Sequence, residues 1–277
     1  MTVGAGPVVV AGRRAATRPA AAAGRRLVDA LGAPLVGVLL AAATWSAVAA
    51  TGWFPAQLFP DVVQIARAGA KLWSTGVLLP DLAASLTRGL LGLLLGSTVG
   101  VLVAGLTAAT SPGRRLLQPV LRLVAPVPTI GLVPLAILWF GLGESSKITV
   151  IGLGVFVPVW INSHTGFTST PADYLRAARC LGAGRAQILG RVVLPEAAPD
   201  VVAGIRVGVA MSFVLLVVAE MTGTTAGLGY RIYQAQLFSQ ADRLILCLAL
   251  LGLLGALCDL LVTRASAPLI RWAEEER

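Results

Sequence analysis

Charge is scarce in this chain of 277 residues: 13% of positions are Asp, Glu, Lys or Arg, about half the ~25% usual in soluble domains. An ordinary water-soluble enzyme is excluded on that ground. Cysteine occurs only at 180, 247 and 258, and the last two fall inside one apolar run. No disulfide framework follows from that arrangement, and the pair reads as small packing residues. The sole histidine, His164, is flanked by Ser163 and Thr165 with no carboxylate near it; it reads as an interfacial side chain, not a catalytic base. No metal-ligand cluster and no nucleophile–base pair stands at useful spacing. Lysine is rarer still. Lys71 follows Ala70 and Lys147 follows Ser146, whereas a phosphate-cradling P-loop needs Gly-Lys-Ser/Thr after a glycine-rich turn. The chain does not hydrolyse ATP by that route, is not expected to be an enzyme, and binds no cofactor of its own.

What it has instead is apolar length. Hydrophobic residues make up 56% of the sequence and the mean hydropathy is +0.82. Uncharged windows of 31 residues separate Asp29 from Asp61, 25 separate Arg88 from Arg114, 21 separate Arg122 from Glu144, and 25 separate Lys147 from Asp173. Each exceeds the ~18 residues that mark a membrane span. Shorter windows, 13 between Arg206 and Glu220 and 15 between Arg243 and Asp259, reach that length with a charge in a terminal turn. Hydrocarbon forces each crossing to satisfy its own backbone. The reading is therefore an all-α polytopic membrane protein with six transmembrane helices, near 32–50, 84–109, 118–140, 148–166, 199–221 and 243–263.

Positive charge sets the orientation. Sixteen of the 22 Lys and Arg fall on one set of loops and their adjoining helix ends, and six on the other. This places both termini in the cytoplasm. The net charge of +9 is then mostly that signal, since a nucleic-acid partner would want a basic soluble surface with interleaved aromatics. Residues 1–26, rich in Ala and Arg without apolar periodicity, read as a disordered cytoplasmic tail, and 27–277 as the membrane domain. A cleaved signal peptide is the alternative for the N-terminus; removing the first span would strand it outside, so an uncleaved span is preferred.

Between the fourth and fifth spans the local chemistry writes a helix–loop–helix over 169–195. Thr170 reads as a cap, Pro171 suits the first helical position, and Asp173 favours the positive helix end. Gly182 reads as the left-handed residue that ends the first helix; the second runs from Ala183 until Pro195 breaks it. Such a hairpin, carrying Arg176, Arg179, Arg185 and Arg191, suits docking of another protein, or equally an amphipathic connector on anionic lipid.

These residues also carry a resemblance. The run Arg176-Ala177-Ala178, three residues, Gly182, nine residues, Val192-Val193-Leu194-Pro195 resembles the EAA loop of permease subunits of type I binding-protein-dependent ABC importers, departing from it by Arg176 in place of Glu and Val192 in place of Ile. Pro128 to Gly143 (PTIGLVPLAILWFGLG), Val218 to Glu220 (VAE) and Gly227 to Tyr230 (GLGY) look like the nitrate, sulfonate and taurine branch. The resemblance implies a MetI-like fold in a bacterial plasma membrane. It also implies a homodimeric pathway for a small anion such as a sulfonate, taurine or nitrate, an extracytoplasmic binding protein, and separate cytoplasmic ATPase subunits that hold ATP and Mg. The loop at 169–195 would sit in a cleft of the ATPase, with Arg176, Ala177, Ala178, Gly182, Val192, Leu194 and Pro195 as its marked positions. The departure at Arg176 exchanges an acidic contact for a basic one.

For the pathway the residues suggest Pro126, Pro128 and Pro134, which kink the third span, with Thr129, Asn162 and Ser163 as polar groups that either line a route or pack helices together. Glu220 is the intramembrane carboxylate, with Arg88 as a partner; the bland reading is two solvated interfacial charges. Arg206 reads as a snorkelling side chain and Asp259 as a helix-end charge. Gly92, Gly96, Gly100 and Ala104, and Gly204, Gly208 and Ser212, are close-packing faces that build either the monomer or a dimer. An ion-coupled secondary transporter is the rival class; it would favour an inverted repeat, and none is evident.

Overall fold

The computed structural model describes residues 21–53, 55 and 57–275. The tail expected over 1–26 therefore lies mostly outside the described residues. All regular structure among the described residues is helical: α1 (Ala21–Ala50), α2 (Val62–Ser74), α3 (Leu78–Ala109), α4 (Gln118–Val124), α5 (Val133–Phe140), α6 (Glu144–Ser169), α7 (Ala172–Cys180), α8 (Arg185–Ile188), α9 (Leu194–Met221), α10 (Leu228–Leu237) and α11 (Ala241–Glu275). The chain divides into a unit up to Trp53, which contains α1, and a unit from residue 54 onward.

Where the sequence suggests six crossings, four helices among the described residues have the length and apolarity to cross a membrane: Leu78–Ala109, Glu144–Ser169, Arg185–Met221 and Ala241–Ile270. A fifth crossing is broken. The stretches Gly113–Val124 and Thr129–Phe140 pass the test together but meet at 90°, so the kink expected in the third span, over 118–140, is a full break. The break falls at Pro126 and Pro128, which withdraw two backbone donors in three residues. Pro128 is extended (φ −66°, ψ 107°) and caps a single 3-10 turn, while Pro134 sits in the first turn of α5, where a missing N–H costs no hydrogen bond. In α1 the described apolar stretch, Val36–Ala50, is shorter than a span.

In the second unit, α6 lies between α3 and α9, with α11 packed on α9, α2 on α11, and α10 on both α9 and α11. Glycine makes that central sandwich possible. A Cβ on Gly92 would overlap Ile151, one on Gly96 would overlap the Gly152 carbonyl and Val155, and one on Gly204 would come within 2.8 Å of the Asn162 Cβ. Both small-residue faces are thus spent inside the chain, α3 and α9 each pressed against α6, so they build the monomer. Ile151, Val155 and Val159 of α6 and Leu215 and Leu216 of α9 fill the core. Cys247 and Cys258 are buried there as free thiols.

Candidate functional site

The hairpin that follows α6 stands at one end of the bundle. Thr170 does not cap it. The residue before a proline is held extended, and Thr170 (ψ 123°) closes α6 instead; its buried hydroxyl has no hydrogen-bond partner among the described residues. Pro171 is the N-cap of α7, and Asp173 turns back on Arg176 at 2.9 Å. Both are exposed, so this pair contributes little. The expected stop at Gly182 is in place, with φ +80° and open space where a side chain would go. Ala183 N–H donates to the Ala178 carbonyl at 3.0 Å and Gly182 N–H to the Arg179 carbonyl at 2.9 Å, the paired bonds of a Schellman ending. No residue of α7 is buried. Ala177 and Gly182 are exposed, and Leu181 at the tip is 87% exposed.

Pro195 does not end the second helix, which corrects the reading above. A π-helical turn, Leu189–Val193, joins α8 to α9, and the widened turn lets Pro195 enter the first turn of α9 where no donor is needed. One helix therefore runs from Arg185 to Met221, 37 residues or about 55 Å at the helical rise. Half-buried Val192 and exposed Leu194 ride on it.

At its far end, opposite the hairpin, is a charge cluster that is largely buried, with Glu144 exposed at its edge. Glu220 is fully buried and accepts from Arg88 Nη1 at 2.7 Å, Ser85 Oγ at 2.8 Å and the Gly229 N–H at 2.8 Å. Arg88 also grips Glu144 through both Nε and Nη2, at 2.6 and 2.7 Å, and donates to the Ala226 carbonyl at 2.7 Å. Asp81, one face of α3 with Ser85 and Arg88, accepts from the Gly227 N–H at 2.8 Å and from Arg231 Nε. The Leu228 N–H donates to Ser85 Oγ at 2.8 Å. Lys147 donates to the carbonyls of Leu142 and Gly143 at 2.9 and 3.2 Å. Three acids and three bases balance one another.

The object these groups hold is the start of α10. Three successive amides, 227 to 229, land on Asp81, Ser85 and Glu220, so two carboxylates sit at the positive end of that helix. Gly227 has φ +124°, and a Cβ there would come within 2.5 Å of the Glu220 carboxyl; one on Gly229 would approach the Val217 carbonyl at 2.8 Å. The VAE and GLGY segments are thus two halves of one clamp. Glu220 and its partner Arg88 are legible in the sequence, and their exposure of 0% and 6% excludes the solvated reading. Asp81, Ser85, Glu144, Lys147 and Arg231 are not marked as site residues by the sequence. The available signal was the i, i+4, i+7 spacing of Asp81, Ser85 and Arg88, which puts all three on one helical face.

The remaining pathway candidates fall in separate places. Pro126, Pro128 and Pro134 are exposed along the broken crossing, with Thr129 half-buried beside them. Asn162 donates to the Pro158 carbonyl at 2.8 Å at the α6–α9 contact, and Ser163 is fully buried. Next to it, half-buried His164 lies 3.0 Å from Thr107 Oγ1 and 3.0 Å from Gln118 Nε2. Thr107 spends its own proton on the Val103 and Ala104 carbonyls, so it accepts from Nδ1–H, and Nε2 accepts from the Gln118 amide. His164 thereby ties α3 and α6 to the first half of the broken crossing. Arg206 and Asp259, read separately above, pair with each other at 2.8 and 2.9 Å between α9 and α11.

Residues 77–271, which hold the hairpin, the clamp and the broken crossing, match the family described as binding-protein-dependent transport system inner membrane component. The chain belongs to this family. It is 34% identical over 239 residues to the putative aliphatic sulfonates transport permease protein SsuC of Bacillus subtilis (strain 168), covering 85% of this chain and 87% of that protein. It is 36% identical over 222 residues to the taurine transport system permease protein TauC of Escherichia coli (strain K12), covering 80% of each. Among solved structures, an inward-facing MetNI methionine ABC transporter aligns with a TM-score of 0.60 at 21% identity, over 71% of this chain and 97% of that one. The fold is that of MetI-like ABC importer permeases, and the permease is a multi-pass membrane protein. Glu220, on which the ion-gradient alternative rested, is committed to Arg88, Ser85 and an amide.

Proposed function

We propose that this permease forms, with a second copy of itself, the pathway by which a small organic sulfonate such as taurine enters a bacterial cell, delivered by an extracytoplasmic binding protein. ATP and Mg reside in separate ATPase subunits. The hairpin end is cytoplasmic, as are both termini, and α7 docks into a cleft of the ATPase. The observation that carries this reading is α7 itself: a helix with no buried residue, fixed at its C-terminal end by the Schellman bonds and followed by a helix that runs from Arg185 to Met221, ending at the clamp around Glu220. Movement imposed at the hairpin by ATP-driven closure is delivered to α10 at the extracytoplasmic end, because one helix joins the hairpin to the clamp. The substrate class is supported by the sulfonate- and taurine-named relatives; the ATPase role of the loop is supported by the spacing from Arg176 to Pro195.

The test is co-expression with candidate ATPase subunits and the binding protein. The wild-type permease should retain ATPase through purification and support uptake of labelled taurine, and Gly182→Arg should lose both while eluting as a folded protein. Retention of the ATPase at wild-type level by the variant refutes the docking role. Saturating uptake of an unrelated solute, with no competition by sulfonates, refutes the substrate class.

A further inference from the structure

At the clamp end, α2, α10 and the start of α11 enclose a cavity of about 250 Å³. Its floor is apolar, from buried Leu72 and Ala235. Its polar lining is Arg231, Gln234, Gln240 and Arg243, without a carboxylate. The positive charge of Arg231 is already answered from behind by buried Asp81; its Nη1 reaches Gln234 Oε1 at 3.1 Å, and its Nη2 donates to nothing among the described residues. Arg243 is different. It is half-buried, it lines the cavity, and it makes no ion pair or hydrogen bond with any described residue, so its guanidinium, with five N–H donors and a full charge, has no protein partner among the described residues. The side-chain amide of Gln240 is likewise unspent, and the first turn of α11 adds the positive end of a 35-residue helix.

A partly dehydrated guanidinium without an acceptor is an unfavourable arrangement, and a cavity whose charged lining is cationic, with two neutral amides beside it, selects its occupant by negative charge and by lone pairs. We infer that this cavity is a binding site for a tetrahedral oxyanion, a sulfonate or a phosphate group, held between the guanidinium of Arg243 and the free edge of Arg231. At ~30 Å³ per water, the space equals roughly eight waters, which accommodates such a headgroup with a short tail. Two sources share that chemistry. One is a free organic sulfonate; the other is the phosphodiester of an anionic lipid, because α2 carries an exposed tryptophan, Trp73 (62% exposed), the residue type that marks the headgroup level. The site is separate from the clamp and from the hairpin, and stands whether or not taurine is the transported solute.

Full-length permease is purified and tested as wild type, Arg243→Gln, Gln240→Leu, and Arg67→Gln as a control on an exposed arginine of α2 outside the cavity. Melting in detergent is followed against methanesulfonate, with potassium chloride at equal ionic strength as reference. In parallel, the protein is ejected from nanodiscs of phosphatidylglycerol and phosphatidylcholine in a mass spectrometer and its retained lipid is identified. A free-anion site gives saturable stabilisation by methanesulfonate, weakened roughly tenfold or more in Arg243→Gln, the size expected for loss of a charge-assisted contact, and unchanged in Arg67→Gln. A lipid site gives selective retention of phosphatidylglycerol, lost in Arg243→Gln and reduced in Gln240→Leu. The inference is overturned if neither probe binds, or if either binds equally to wild type and Arg243→Gln. Arg243→Gln should melt as wild type without a probe, since Arg243 supports no described contact.

Discussion

Removing the two partners of the Arg88–Glu220 pair should have unequal consequences. Glu220 lies at 0% exposure and Arg88 at 6%, so neither charge can turn to water. In Arg88→Met, Glu220 keeps Ser85 and the Gly229 amide but loses its ion-pair partner among the described residues, Glu144 loses both hydrogen bonds from the guanidinium, and the Ala226 carbonyl is left with Thr224 Oγ1 alone. Stranding a buried charge costs about 3–5 kcal/mol. In Glu220→Gln the amide still accepts from Ser85 or Gly229, and Arg88 retains bidentate Glu144, so the cost is about 1–2 kcal/mol, that of one weakened charged hydrogen bond. The double variant Arg88→Met/Glu220→Gln should be more stable than Arg88→Met alone, because the uncompensated carboxylate is gone. At ~2–4 °C per kcal/mol for a chain of this size, Arg88→Met lowers the melting midpoint by roughly 10 °C and Glu220→Gln by roughly 5 °C. The assay is heat-dependent loss of the monodisperse elution peak in detergent for all four proteins, with the coupling energy taken from the cycle. Additive effects, or an Arg88→Met variant no worse than Glu220→Gln, would refute the clamp as an interdependent charge cluster.

Gly227→Ala forces a side chain into a left-handed backbone and against the Glu220 carboxyl, and should cost about 2–4 kcal/mol, read as a lower melting midpoint together with faster proteolysis between α9 and α10. Gly92→Leu drives Ile151 off α3 and should abolish recovery of monodisperse protein, whereas Gly190→Leu, with nothing within 4 Å, should be recovered at wild-type yield. Thr107→Val removes the acceptor of His164 Nδ1–H and of Trp160 Nε1–H and should destabilise by about 1–3 kcal/mol, detectable by thermal unfolding monitored through tryptophan fluorescence.

Much of the bundle was legible because hydrocarbon leaves long charge-free windows: the continuous helices at 78–109, 144–169 and 241–275 each contain one. The hairpin was legible too, since Gly182 and Pro171 act through local backbone geometry. What escaped were long-range pairings. A charge ends an apolar window, so Asp81 holds the expected start of α3 back to 84; the partners of Asp81 and Arg88, Gly227 and Glu220, lie more than 130 residues away, and nothing local announces them. The same limit applies to the glycine faces, whose spacing shows that something packs closely without saying whether it is α6 or another copy. Thr170 misled for a different reason. A threonine before proline has the composition of a cap, but Pro171 holds it in the extended conformation that ends the preceding helix.

The helix from Arg185 to Met221 is unevenly stiff. Its first 15 residues contain the π turn at Leu189–Val193 and prolines at 195 and 199; Pro199 has no N–H to offer the Pro195 carbonyl, and the wide turn exchanges regular bonds for longer-spaced ones. From Asp200 onward no proline interrupts the ladder, and Gly204 and Gly208 press it against α6. Bending compliance is therefore concentrated in residues 189–199, and the stretch from Asp200 to Met221 moves as one piece. In the proposed coupling, a displacement at α7 becomes a swing about residues 189–199, the length beyond that joint sets how far Glu220 travels, and substitutions that stiffen the joint shorten the stroke without touching either end.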